Sequence, residues 1–164
     1  MLSEFSEDGE GYAYLLASPD REESGGSSYV REKAEKGDAW AQYNLGLAYY
    51  KGNGVPQDHQ QAAALFRKAA DQGHAEAQYN LGYMYENGQG VPQDHQQAAA
   101  WYQAAKQGDA KAQFELGVMY ELGRGVLQQD HQQAVSWFRM AADQGDVDAQ
   151  FLLDMIREED RDAP

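Results

Sequence analysis

Four related passages divide the chain: "GDAWAQYNLGLAYYKGNGV" from Gly37, "GHAEAQYNLGYMYENGQGV" from Gly73, "GDAKAQFELGVMYELGRGV" from Gly108 and the shorter "GDVDAQFLLDMIREED" from Gly145. By subtraction they recur every 36, 35 and 37 residues. A unit of that length is one supersecondary element, too small to bury its own apolar face, so successive units must stack. The architecture expected is therefore a solenoid.

Each unit parses into two helices. The first, Ala39–Lys51 in the first unit, carries apolar residues at helical spacing and stops at Gly52 and Gly54, which supply left-handed backbone where a helix ends. Pro56 bars its continuation. The phrase "GVPQDHQQAAA" at 54–64, identical at 90–100 and loosened to "GVLQQDHQQAV" at 125–135, then starts the second helix. Asp58, Asp94 and Asp130 are N-cap acceptors, and Gln61, Gln97 and Gln133 stand where a capping box returns a bond to the cap backbone. Runs of strong helix formers such as "AAALFRKAADQG" follow and end at the next glycine.

At the ends, "SSYVREKAEKG" reads as a second helix without its first, and Asp154 and Arg157 replace the Gly and Tyr of the inner units, as suits a last helix with no successor. The expected organisation is an acidic, irregular or disordered extension over 1–28, a capping helix over 29–37, three repeats over 38–142, and a capping helix with tail over 143–164. Within the extension, "GYAYLL" is a candidate short docking helix.

Composition narrows the function classes. With 13 Lys+Arg against 27 Asp+Glu, the formal charge of −14 opposes nucleic acid and anionic membrane surfaces and suits a basic partner. No apolar run approaches the roughly 20 residues of a membrane span, and "MLSEFSEDGEGYAYLL" has acids where a secretory signal has Lys or Arg. The chain has no cysteine, which excludes disulfides, thiolate metal sites and a thiol nucleophile and fits a reducing compartment. The expectation is a cytoplasmic chain, monomeric rather than oligomeric.

Candidate chemistry is thin. His59, His95 and His131 are equivalent positions on successive layers that stack roughly 8–10 Å apart, too far for two imidazoles to reach one metal at roughly 2.1 Å. They read as solvated first-turn residues, and His74 as a variant of the caps Asp38, Asp109 and Asp146. Ser136 aligns with Ala64 and Ala100 and reads as a small core residue rather than a nucleophile. Gly88 and Gly90 are followed by a proline and by no Lys-Ser/Thr pair, so no phosphate cradle is indicated. No catalytic residue, metal site or cofactor is expected.

The phrases "AQYNLGLAYYKGNGVPQD" and "AQYNLGYMYENGQGVPQD" with the trailing "KAADQG" resemble the Sel1-like repeat family, relatives of the tetratricopeptide repeats, from about residue 30 to 157. That resemblance implies an all-α fold, a right-handed superhelix of antiparallel helix pairs, acting as a non-catalytic protein-binding adaptor and often bacterial. A secreted, disulfide-stapled branch has been linked to β-lactam binding; this chain lacks the cysteines of that branch. A β-lactam-binding or hydrolysing enzyme is the competing reading.

Three copies of one scaffold separate what the fold fixes from what it leaves free. On a wheel of the first helix, Ala41/Ala77/Ala112, Gln42/Gln78/Gln113, Tyr43/Tyr79/Phe114, Leu45/Leu81/Leu116, Gly46/Gly82/Gly117 and Tyr49/Tyr85/Tyr120 stay alike on one side. A mid-helix glycine costs roughly 1 kcal/mol against alanine, so three in register point to a neighbour too close for a Cβ. The opposite side varies: Trp40, Asn44, Leu47 and Lys51; Glu76, Asn80, Tyr83 and Asn87; Lys111, Glu115, Val118 and Leu122. These twelve are the candidate partner-binding residues on the concave surface, a mixture of aromatic, apolar and polar groups that suits an interface; drift on an unused surface is the alternative. Trp101 and Trp137 align with Leu65 on the second helix and are assigned to layer packing. An inhibitor, such as an immunity protein against a basic toxin, is the sharper form of the adaptor reading.

Overall fold

In the computed structural model the described residues are 26–162, apart from 107 and 126–127. They form α1 (Gly26–Glu35), α2 (Ala39–Lys51), α3 (His59–Ala70), α4 (Ala75–Asn87), α5 (His95–Ala105), α6 (Ala110–Leu122), α7 (His131–Asp143) and α8 (Val147–Asp162), and no strand occurs among the described residues. The extensive contacts run between helices adjacent in sequence, with the pairs α2–α3, α4–α5 and α6–α7 packed most closely. The fold is thus an all-helical stack of helix pairs. The acidic stretch before Gly26 lies outside the described residues, and residues 26–28, expected in that extension, are the first turn of α1.

Helix starts and stops follow from local chemistry. Asp38, Asp109 and Asp58 sit in extended backbone, and their carboxylates accept from the N–H groups of Ala41 (2.8 Å), Ala112 (3.0 Å) and Gln60 (2.9 Å). His74 takes the same role with its imidazole, accepting from Ala77 N at 3.4 Å. At the other end Gly88 adopts φ 65°, a left-handed conformation that glycine enters without a Cβ penalty, and its N–H closes on the Met84 carbonyl. The expected capping box is only half formed. The cap N–H that Gln61 or Gln97 would serve is already taken, since Asp58 donates to the Tyr49 carbonyl and Asp94 to the Tyr85 carbonyl, each at 2.9 Å. That bond ties each second helix to the last turn of the first.

The glycines of the first helices are contact points. A Cβ on Gly46, Gly82 or Gly117 would lie 2.8, 2.7 or 2.5 Å from the ring of Phe66, Tyr102 or Phe138. The facing helices are correspondingly small-sided: Ala62, Ala63, Ala69 and Ala70 flank Phe66 in the core, and Ala98, Ala99 and Ala105 flank Tyr102. Trp101 packs on the cluster formed by α3 and α4, and Trp137 on that of α5 and α6, so both join one layer to the next.

Ser136 is no core residue. It is exposed, as are Ala64 and Ala100, and its Oγ donates to the Gln132 carbonyl at 2.9 Å. The histidines also differ from the uniform solvated set expected. His131 is exposed and 2.9 Å from Glu121, but His59 is half-buried and stacked on Tyr50 at 5.1 Å, while the Nδ1 of His95 is buried without a partner. The next repeat's loop covers them: Gly90 packs on the His59 backbone and Gly125 on that of His95. Among the described residues no such loop packs on His131, which is exposed.

A glutamine, buried at positions 42 and 113 and half-buried at 78, stitches each of the first three joints. Gln42 donates to the Ala34 carbonyl (3.1 Å), Gln78 to Ala70 (3.1 Å) and Gln113 to Lys106 (2.6 Å), adding a side-chain donor to carbonyls at the end of the preceding helix, of which those of Ala34 and Ala70 also accept from Gly37 and Gly73. In turn Gln72 donates to Gln42 at 2.8 Å and Gln144 to Gln113 at 2.7 Å. The two repeated glutamines of the sequence, one in "AQ" and one in "DQG", are therefore partners across a repeat.

Candidate partner-binding face

The stack brings first helices side by side, and their exposed edges enclose a cleft. Its larger part, about 310 Å³, is lined by Tyr43 of α2, by Glu76, Tyr79 and Asn80 of α4, and by Gly108, Asp109, Ala110 and Lys111 at the start of α6. A smaller part of about 160 Å³ shares Tyr79 and Asn80 and adds Tyr50, Phe66 and Tyr83. One continuous surface therefore crosses all three repeats. A separate hollow of about 320 Å³ near the C-terminal end is lined mainly by apolar groups: Val118, Leu122, Phe138, Leu152, Met155 and Ile156, with Glu121 and His131 among its walls.

The twelve residues singled out in the sequence distribute unevenly over these features. Glu76, Asn80, Tyr83 and Lys111 line the cleft, and Val118 and Leu122 line the apolar hollow. Lys51 and Asn87 are exposed outside both, and Trp40 and Leu47 are half-buried, Leu47 packing against the α3–α4 cluster. Asn44 is buried and donates to the Trp40 carbonyl at 2.8 Å, so it fixes its helix rather than meeting a ligand. Glu115 is half-buried on α6.

Three lining residues were missed in the sequence, Tyr43 and Tyr79 because of their constancy and Tyr50 although its equivalents are Glu86 and Glu121. Tyr43 and Tyr79 occupy positions that barely vary and were read as layer filler, yet each packs its ring on the core and shows an edge to the cleft. Tyr50 likewise lines the cleft, and its hydroxyl donates to Gln89 at 2.9 Å. Tyrosine suits such a boundary because one end is apolar and the other polar; that chemistry was the available signal.

The cleft is electrically negative. Asp109 has its carboxyl pushed up by burial, with Glu76 adding to the effect, although its N-cap bonds pull the other way. Burial also raises the hydroxyl ionisations of Tyr43 and Tyr79, reinforced at Tyr43 by Glu76 and at Tyr79 by Glu115. Lys111 stands beside these groups with its Nζ 6.0 Å from the Tyr79 ring centre. Behind the wall, His74 stacks on Tyr43 at 4.5 Å and burial holds its imidazole below the usual range, consistent with the neutral ring that accepts from Ala77. Deeper on α6, burial and the nearby Glu86 and Asp146 push Glu115 up to about 7.

Among the described residues no group of His, Asp and Glu is arranged to hold a metal ion, and no helix is long and apolar enough to cross a membrane. Helix pairs stacked in one dimension, with a cleft running over their first helices, define a helical-repeat solenoid. The chain belongs to the Sel1 repeat family, whose model matches residues 41–74, 75–109 and 110–146.

Solved structures agree. The chain is similar to a Sel1 repeat protein from Oxalobacter formigenes, with 36% identity and a TM-score of 0.72 over 79% of this chain and 98% of that one. It is also similar to c5321, a protective antigen of uropathogenic Escherichia coli with an SLR fold (36% identity, TM-score 0.74, 87% of this chain). This chain spans 32% of the length of that protein. Helicobacter pylori cysteine rich protein B follows at 25% identity and a TM-score of 0.62, covering 83% of this chain and 98% of its own. No curated protein matches the chain. Sel1 repeat proteins in general serve as scaffolds for protein–protein interaction rather than as enzymes.

Proposed function

We propose that the chain is a non-catalytic adaptor that holds a protein partner across its first helices, on the concave side of the stack. The observation that carries this reading is the cleft shared by α2, α4 and the start of α6, walled by Tyr43, Tyr50, Tyr79 and Tyr83 among polar groups. Aromatic anchors with a polar surround are the composition of a protein interface. The charge of −14 favours a basic partner, and inhibition of a basic toxin is the form of adaptor function it suits best. A cysteine-free chain fits action in the cytoplasm, as a monomer.

The test uses the tagged chain as bait, with bound protein identified by mass spectrometry. Changing Trp40 and Tyr83 together to alanine removes two aromatic groups from this face. Loss at one hot spot of this type is about 2 kcal/mol or more, or about thirtyfold, so capture by the double variant should fall by at least that factor while the helical circular-dichroism signal is kept. Capture that survives this change but disappears on charge reversal within residues 1–28 would move recognition to the acidic extension. Hydrolysis of a chromogenic β-lactam that a point change removes would make the chain an enzyme instead.

A further inference from the structure

The chemistry of the larger cleft is more specific than a general protein interface. Two tyrosine rings, Tyr43 and Tyr79, share the cleft with two carboxylates, Glu76 and the N-cap Asp109, and with Asn80. One cation is present, Lys111, which is exposed and whose ammonium stands 6.0 Å from the Tyr79 ring centre, at the outer limit of a cation–π contact. Lys111 is thus loosely held and only half-balances the two acids. An aromatic face bordered by carboxylates matches a guanidinium in particular, because that group is planar, stacks on rings and forks onto carboxylates with two parallel N–H bonds.

We propose that this cleft is an arginine pocket: a partner's arginine side chain stacks on Tyr79, donates to Glu76 and Asp109, and displaces Lys111 from the ring. Lys111 serves as the resident cation that keeps the empty pocket from carrying two uncompensated acids beside a half-buried aromatic wall. The proposal rests on the reading of the first-helix face as the partner surface and gives that surface its ligand chemistry. It also fits the overall excess of acid, which draws basic segments toward the molecule before any contact forms.

The probe is a fluorescein-labelled peptide of Gly and Ser carrying two arginines, titrated with the full chain and read by fluorescence anisotropy. Replacing both arginines by citrulline keeps the shape and removes the charge, and should weaken binding at least about tenfold; replacing them by lysine should weaken it about threefold. Glu76→Gln and Asp109→Asn should each weaken it about threefold to tenfold, the asparagine keeping the helix cap intact. Tyr79→Phe should bind like the wild type and Tyr79→Leu should not. The diagnostic sign belongs to Lys111→Ala, which should tighten the arginine peptide about threefold by freeing the ring and the acids.

Equal binding of arginine and citrulline peptides overturns the proposal, as does weaker binding by Lys111→Ala, or no saturable binding at all. Should Asp143→Asn and Asp148→Asn, exposed positions outside the cleft, weaken the peptide as much as Glu76→Gln, bulk charge attraction replaces the pocket. If Tyr79→Leu fails to fold, the carboxylate and lysine variants still decide. Partner capture lost in the Trp40/Tyr83 double variant, together with no preference for arginine, would remove the pocket and leave the partner surface standing.

Discussion

At the scale of the single residue, Gly82 and Glu115 carry opposite kinds of constraint. A Cβ on Gly82 would lie 2.7 Å from the fully buried Tyr102 ring and 3.3 Å from the Ala98 carbonyl, so it would meet a packed side chain and backbone together. Gly82→Leu should destabilise by about 1–3 kcal/mol or more in urea titration, whereas Asn80→Leu, two residues away on the cleft side, should lose less than half of that. Equal losses would mean that the two faces of the helix are misassigned. Glu115 is an electrostatic liability instead. Its carboxyl is raised to about 7 by burial and by Glu86 and Asp146, so the folded state holds a proton that the unfolded state has released. The associated stability is fully present below about pH 4.5, the ordinary glutamate range, and is lost as pH rises through about 7. Glu115→Gln should therefore melt like the wild type at pH 4.5 and gain about 1–2 kcal/mol over it at pH 8, after discounting for partial solvent access. A gap that is constant with pH would show that the charge is not the cause.

At the scale of the element, the second helix bonds each layer to the one before it. Trp101 reaches from α5 onto the α3–α4 cluster, its indole N–H buried without an acceptor, so its energy comes from packing and from the Arg67 guanidinium 5.8 Å above its ring centre. Trp101→Ala should cost about 2–4 kcal/mol in urea titration, and Trp40→Ala less than half as much; a larger loss at Trp40 would reverse their roles. Positions of the helices were legible because glycines, aspartates and apolar spacing mark every start and stop, and the mid-helix glycines announced their close neighbours. What the sequence hid were relationships between helices. A glutamine that recurs with the scaffold looks like one more fixed residue until its partner, a second glutamine 30 residues on, is seen to accept or donate across the joint. The same holds for the cap N–H of Asp58, whose acceptor Tyr49 belongs to the preceding helix. Tyr43 and Tyr79 do pack between layers, but their cleft edge stayed hidden because constancy was equated with full burial, and Ser136 was placed in the core because smallness was. A wheel drawn for one helix records neither the next helix nor the solvent beyond it.

At the scale of the whole molecule, six of the twelve candidate residues fall on two surfaces of different character, Glu76, Asn80, Tyr83 and Lys111 on an acidic aromatic cleft over α2, α4 and α6 and Val118 and Leu122 on an apolar hollow at the C-terminal end. On α8 the apolar positions Val147, Phe151 and Met155 are exposed, and Phe151 is the fourth member of the series Tyr43, Tyr79, Phe114. Where the earlier three rings each rest on an aromatic of the following helix, at 5.9, 5.7 and 5.7 Å between centres, α8 bears Asp154 at the glycine position that such a helix would approach. Substantial contact is confined to neighbours along the chain, from α1 to α8. Among the described helices nothing braces one end of the stack to the other, so small rotations at its joints add along its length. In mechanical terms it resembles a leaf spring: the distance between Tyr43 and Lys111 is set by the joints between them, so a guest wedged into the cleft would bend the stack, and tension along it would alter its grip.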